Sequence, residues 1–185
     1  MLGRLTAVLL ILLGFAMAAN DAAARQDDKR LDALFERLQK TADPQEARMI
    51  EGLIWTIWFR SGDATRDRLL ERGNEAMGAG KLSDAMAQFN MVIEADPNLA
   101  EGWNRRATLN YLLGNLDASV KDIERTLALE PRHFGALSGL GMIYVQREQY
   151  DAAMKAFERG LKVNPHMQGA KQNIQDLRKR IGQDI

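Results

Sequence analysis

Residues 137–165, LSGLGMIYVQREQYDAAMKAFERGLKVNP, decide the fold of this chain of 185 residues. Four positions in this stretch hold a bulky residue, a small residue, a second bulky residue and a proline, and the same series occurs twice more at intervals of 34 residues. The positions are Leu137, Gly141, Phe157 and Pro165, preceded by Trp103, Ala107, Ile123 and Pro131 and by Leu69, Gly73, Phe89 and Pro97. A fixed period of this length is typical of stacked structural repeats.

Each repeat is predicted to form two helices separated by a short turn. Gly80, Gly114 and Glu148 mark the turns, and the prolines end each pair because proline cannot continue a helix. Ser83, Asp117 and Asp151 are predicted to cap the second helix of each pair. The predicted helices cover residues 65–79, 83–96, 99–113, 117–130, 133–147 and 151–164.

These residues resemble the tetratricopeptide repeat (TPR) family. The third repeat is most similar to the family pattern through Leu137, Leu140, Gly141, Tyr144, Tyr150, Ala153, Phe157 and Pro165. The resemblance covers three repeats, at residues 66–99, 100–133 and 134–167. It implies an all-α fold, a right-handed superhelical solenoid of antiparallel helix pairs with a capping element at each end.

The resemblance also implies a non-enzymatic module that binds a peptide or helical segment of a protein partner in a concave groove. The groove would be lined by the first helix of each pair and by the closing helix. The candidate residues are Leu70, Asn74, Met77, Asn104, Arg105, Thr108, Tyr111, Ser138, Met142, Val145 and Gln172. The Lys/Arg and Asn arrangement by which some members hold an acidic C-terminal tail is missing, so that ligand is not predicted.

Arg72 and Arg106 stand where the family usually has leucine facing the space between helices. A buried guanidinium needs a carboxylate or carbonyl partner, because its desolvation costs several kcal/mol. One interpretation is therefore a core ion pair with Glu101, Asp122 or Glu124. The other is that both arginines contact a carboxylate of a ligand.

Residues 1–18 are predicted to be a secretory signal peptide. Arg4 precedes an uncharged stretch at residues 5–19, and Ala16 and Ala18 are small residues suited to cleavage. Cleavage after residue 24 and an uncleaved membrane anchor are the alternatives. We therefore expect an exported protein, periplasmic if the source is a Gram-negative bacterium, or one anchored in the inner membrane, and contact with a membrane only if the segment is retained.

Residues 19–62 are predicted to be a polar spacer and a capping helical hairpin. The first helix carries a stripe of Leu31, Leu34, Phe35 and Leu38. Asp43, Pro44 and Glu46 form a capping-box start for the second, whose apolar face is Ala47, Ile50, Ile54, Ile57 and Trp58.

The run at residues 53–59 is apolar almost all round. It is either wedged between the first helix and the repeats, or an exposed patch of a self-associating or membrane-anchored scaffold, which is the alternative function. The hairpin is predicted to close one end of the stack. Residues 166–185 are predicted to close the other, with Ile174, Leu177 and Ile181 facing inward.

Composition argues against other classes of function. Lys plus Arg and Asp plus Glu both number 25, so no global charge attracts nucleic acid. The chain has no cysteine, and its two histidines, His133 and His166, are predicted to be exposed or capping rather than metal ligands. Gly135, Gly139 and Gly141 follow no strand, which argues against a nucleotide loop. We predict no catalytic residue, metal, cofactor or small-molecule substrate.

Overall fold

The computed structural model describes residues 25–183, and within that range the regular structure is entirely α-helical. The predicted signal peptide lies outside the described residues. The helices are α1 Arg30–Lys40, α2 Pro44–Phe59, α3 Ala64–Gly78, α4 Leu82–Ala95, α5 Ala100–Leu112, α6 Leu116–Leu129, α7 Phe134–Gln146, α8 Tyr150–Val163 and α9 Gln168–Gln183.

The six repeat helices begin and end within one residue of their predicted bounds. α3 packs on α4, α5 on α6 and α7 on α8, and each later pair also packs on the second helix of the pair before it. The first helices of successive pairs contact one another as well. The repeats therefore form a continuous stack with α3, α5 and α7 side by side.

The turns within the pairs require a left-handed backbone. Gly80 and Gly114 have φ angles of 72° and 76°, and Glu148 adopts the same conformation at 59°. The predicted caps Ser83, Asp117 and Asp151 are wrong, because each is the second residue of its helix and lies two positions after the N-cap. The actual N-cap residues, Lys81, Asn115 and Gln149, form no side-chain capping bond.

The small residue of each repeat lies where two helices cross closely. A Cβ atom added to Gly73 would stand 2.3 Å from the ring of Phe89, and one added to Gly141 would stand 2.5 Å from the ring of Phe157. Both rings are fully buried. Glycine is therefore needed in the first and third repeats because phenylalanine fills the facing position.

The hairpin packs through the faces predicted for it. Leu31, Phe35 and Leu38 of α1 meet the buried face of α2 and Phe134 in one core. Asp43 caps α2 by accepting a hydrogen bond of 2.8 Å from the Gln45 N–H. The predicted capping box is incomplete, because Glu46 turns away to accept hydrogen bonds from Thr41 and Arg37.

The hairpin does not close one end of the stack, so that prediction is wrong. It lies along three loops that each contain a proline: the loops that join α4 to α5, α6 to α7 and α8 to α9. Arg25 pairs with Asp96 before Pro97 at 3.1 Å, and Asp32 pairs with Arg132 after Pro131 at 2.7 Å. At the third loop, Asn164 donates a hydrogen bond to Glu51, and the His166 ring lies within hydrogen-bonding distance of the Leu38 carbonyl oxygen.

The aromatic residues of the hairpin explain this placement. Phe35, Trp55 and Trp58 all pack against Phe134, the first residue of α7. Their apolar area is buried only if the hairpin lies beside the middle of the stack.

α9 covers the last pair as predicted. It packs on α8 and buries Ile174 and Leu177, while Ile181 is half-buried. Among the described helices, none is both long and apolar enough to span a bilayer.

Candidate protein-interaction surface

The 34-residue period places the candidate groove residues in three rows across α3, α5 and α7. The first row is nearest the loops that the hairpin covers, and the third is nearest the glycine turns. The first row is Leu70, Asn104 and Ser138, the second is Asn74, Thr108 and Met142, and the third is Met77, Tyr111 and Val145.

The first row is largely unavailable to a partner. Leu70 is fully buried with Phe59 packed against its cluster, and Asn104 is buried and donates to Glu101 at 3.1 Å. Their prediction as groove contacts is therefore wrong, because α2 lies over this end of the first helices. Ser138 is half-buried.

Arg105 is also occupied within the chain. Its guanidinium lies 5.7 Å from the ring centre of Trp55 and 5.6 Å from that of Phe59, both on α2. It also pairs with Glu101 at 2.5 Å. Arg105 therefore holds α2 against α5, and its prediction as a groove contact is wrong.

Beside Arg105, a buried polar network joins α2, α5 and α7. His133 is fully buried and stacks on Trp58 with ring centres 4.1 Å apart. Its Nδ1 accepts from the Ala136 N–H at 3.1 Å, so Nε2 carries the proton that it donates to Glu101 at 3.0 Å. Of the two roles predicted for His133, capping is confirmed, because it caps α7. The exposed role is wrong, because its side chain is fully buried.

Glu101 is the acceptor on which this network converges. Burial alone would raise the pKa of its carboxyl group, but the Arg105 cation and the hydrogen bonds from His133 and Arg105 outweigh it and hold the pKa below its ordinary value. The ionised carboxylate is thus the form that the folded chain favours. No local sequence pattern marks Glu101 as the centre of a site.

The second and third rows remain open. Thr108 and Met142 are exposed, and Asn74, Met77, Tyr111 and Val145 are half-buried. None of these six side chains is charged. From α9, Asn173 reaches the Met142 sulfur at 3.8 Å, whereas the predicted Gln172 is exposed and bonds to Asp176 on its own helix. We define these two rows as the open groove.

Sequence reasoning missed Leu112, which is 57% exposed beside Tyr111 at the end of α5. The chain continues with Leu113, also exposed, before Gly114. An apolar residue just before a turn has no periodic signal of its own. Its exposure extends the apolar surface at the margin of the open groove.

The two unusual arginines have separate environments. Arg106 binds Asp122 through two hydrogen bonds of 2.9 and 2.7 Å and also donates to Asn90, so the ion-pair interpretation with Asp122 is confirmed. Arg72 is exposed and ion-pairs with no described residue, so its expected place between helices is wrong. It lies over the first pair near Glu75 and Asp84.

Comparisons with known sequences agree on one family. Models described as tetratricopeptide repeat match residues 70–124 and residues 135–167. A TPR repeat-containing protein of Rhizobium etli is 36% identical over 159 residues, which cover 86% of this chain and 78% of that protein. The mouse DnaJ homolog subfamily C member 3 is 30% identical over 110 residues, and the chain spans only 22% of its length.

Solved structures show the same fold. The first TPR of Spaghetti (RPAP3), bound to an HSP90 peptide, superposes with a TM-score of 0.61 at 22% identity, over 65% of this chain and 96% of that one. MamA superposes with a TM-score of 0.60 at 20% identity, over 85% and 84%. The predicted all-α solenoid of helix pairs is confirmed.

Proposed function

The chain belongs to the tetratricopeptide repeat family, and on that premise we propose that it is a non-enzymatic protein-interaction module. The open groove is the surface that binds the partner. The observation that carries this proposal is that the second and third rows are accessible although they contain apolar side chains and no charge. Such a surface accepts an extended or helical segment with uncharged, apolar side chains.

The chemistry of the groove limits the partner. The RPAP3 structure holds an HSP90 peptide, but the open groove here offers Thr108, Met142 and Tyr111 rather than cations. A carboxylate placed there would lose water without gaining a charged partner. We infer a ligand that uses methionine and tyrosine contacts and main-chain hydrogen bonds to Asn74 and Thr108.

The partner is proposed to belong to the cell envelope. This rests on residues 1–18, whose charge and apolar pattern favour export, with cleavage after Ala18. Mass measurement of the chain recovered from fractionated cells tests the address. A mature chain that begins at Ala19 in the envelope fraction supports it, and an intact chain in the cytosolic fraction contradicts it.

The alternative function, a scaffold that associates through residues 53–59, would need the aromatic residues of this run to be exposed. Trp58 is buried, and Trp55 and Phe59 are half-buried against Arg105. Only Leu53 and Thr56 of this run are exposed. The aromatic residues are therefore used within the chain.

The groove is tested by crosslinked capture from the envelope fraction with matched variants. Met142→Lys places a charge in the open groove, and Met91→Lys changes another exposed methionine, on α4. We expect Met142→Lys to lose a protein that the wild type and Met91→Lys retain, with unchanged thermal unfolding. Equal recovery by all three would refute binding through the open groove.

A further inference from the structure

A second groove lies between α1 and α2 and is separate from the open groove. It encloses about 710 Å³ and is lined by Arg30, Ala33, Leu34, Arg37, Leu53, Thr56, Ile57 and Arg60. We call it the hairpin groove. Leu53 is 48% exposed in it, although its neighbours Ile54 and Ile57 are buried. The repeats cover other faces of the hairpin, so this groove faces outward.

The hairpin groove joins an apolar floor to a cationic rim. Leu34, Leu53 and Ile57 form the floor, and the described residues that line the groove include three arginines but no carboxylate. Arg60 ion-pairs with no described residue. Arg30 pairs with Asp28 and Arg37 with Glu46, yet both arginine side chains are about two-thirds exposed, at 65% and 64%. A guanidinium has five N–H donors, so each can accept a further anionic partner.

The charges stand at both ends of the groove. Arg30, the first residue of α1, and Arg60, the residue after α2, both line the groove, and Arg37 lies seven residues along α1. Seven residues of helix span about 10.5 Å. Two turns of a third helix have this length, with carboxylates at the ends and leucine-like side chains between them. A fatty acid or similar ligand would neutralise only one end.

We propose that the hairpin groove binds an acidic amphipathic helix of another protein. Such a helix would pack against α1 and α2 at about 8–10 Å and complete a three-helix arrangement. A second copy does not fit, because the helices of residues 25–183 bury their apolar stripes in their own chain. The uncharged stretch at residues 5–19 does not fit either, because it offers no carboxylate to the arginines.

The test uses the full chain and a fluorescein-labelled helical peptide of about five turns. The peptide carries leucines on one stripe and glutamates beside it one heptad apart, and a second peptide has lysine in place of each glutamate. Anisotropy titrations give both dissociation constants. We expect the acidic peptide to bind more tightly, and its affinity to fall with added salt.

Variants then locate the binding. Arg60→Glu is expected to weaken the acidic peptide about tenfold and to strengthen the lysine peptide, because the charge pairs reverse. Leu53→Ser is expected to weaken both peptides. Met91→Ser, at another exposed residue, and Met142→Lys in the open groove are expected to change neither.

Several outcomes would overturn the proposal. They are no binding of the acidic peptide, equal binding of both peptides, or binding that Arg60→Glu and Leu53→Ser leave intact. Phosphatidylglycerol vesicles form a further arm. If they bind with the same dependence on Arg60 and Leu53 and the peptide does not, the groove contacts an anionic membrane surface instead. Because Met142→Lys reports on the open groove alone, failure here is distinct from failure of the proposed function.

Discussion

Exchanging the small residue in the third repeat should change stability with a sign that depends on the residue facing it. Gly141 faces the ring of Phe157, and three ring atoms would lie 2.5 to 2.7 Å from an added Cβ. Carbon atoms pack at about 3.5–4.0 Å, so the ring would have to move by about 1 Å. Phe157 is fully buried, so its neighbours would have to move with it.

The expected magnitudes follow from this overlap. Overpacking costs about 1–3 kcal/mol, and alanine gains about 1 kcal/mol over glycine inside a helix, so Gly141→Ala should destabilise the chain by about 1 kcal/mol. The second repeat has an alanine at this position because a smaller residue faces it: Ala107 stands where the third repeat has Gly141, and Ile123 stands where it has Phe157. In a Phe157→Ile background the overlap is gone, and Gly141→Ala should then stabilise the chain by up to about 1 kcal/mol.

Urea unfolding followed by far-ultraviolet circular dichroism measures the free energy of unfolding of wild type, Gly141→Ala, Phe157→Ile and the double variant. Gly52→Ala is the control for helix propensity, since nothing lies within 4 Å of a Cβ added there in the middle of α2. The double-mutant cycle should give a coupling of at least about 1 kcal/mol. If Gly141→Ala has the same effect in both backgrounds to within about 0.5 kcal/mol, close approach does not explain the glycine.

Three further predictions concern the hairpin and the buried polar groups. Trp58→Ala should cost about 3–5 kcal/mol, whereas Leu53→Ala on the exposed side should cost under about 1 kcal/mol, and hydrogen exchange should show the loss first in α1 and α2; equal urea midpoints for the two variants would contradict this. Asp122→Ala should cost about 2 kcal/mol because it removes the carboxylate that both the Arg106 guanidinium and the Asn110 amide bind, and leaves Arg106 only its bond to Asn90; a simultaneous Arg106→Leu change should recover part of that loss in urea unfolding. Because the folded pKa of Glu101 lies below its ordinary value of 4.5, its ionised form contributes stability above pH 4.5 that is lost as pH falls through the folded pKa. The stability difference between wild type and Glu101→Gln should therefore shrink below that pH, and a constant difference from pH 6 to pH 3 would refute the assignment.

The repeat helices were predictable because their determinants are local or periodic. Glycine or an equivalent at the turn, proline after the pair and a small residue opposite a large one each act within a few turns of helix. The faces of α1 and α2 were predictable for the same reason. The caps were wrong by two residues, since nothing in Ser83, Asp117 or Asp151 distinguishes an N-cap from the first turn.

The position of the hairpin was not predictable, and the errors in the candidate groove follow from it. Amphipathic periodicity shows which face of a helix is buried but not which element covers it. Phe134 and His133 lie just after Pro131, and their partners are on a helix more than seventy residues earlier. Once α2 occupies that place, Leu70, Asn104 and Arg105 are internal contacts.

This placement gives the two proposed binding surfaces opposite characters. Because Arg105 and α2 cover the first row, the arginine nearest the open groove is used within the chain. The open rows therefore carry no charge. The same hairpin turns Arg30, Arg37 and Arg60 outward around an apolar floor. If both proposals hold, a partner segment rich in carboxylates is expected at the hairpin groove and an uncharged one at the open groove. If Arg60→Glu and Met142→Lys each abolished binding of a different segment, one chain could hold both at once, because α2 separates the two surfaces.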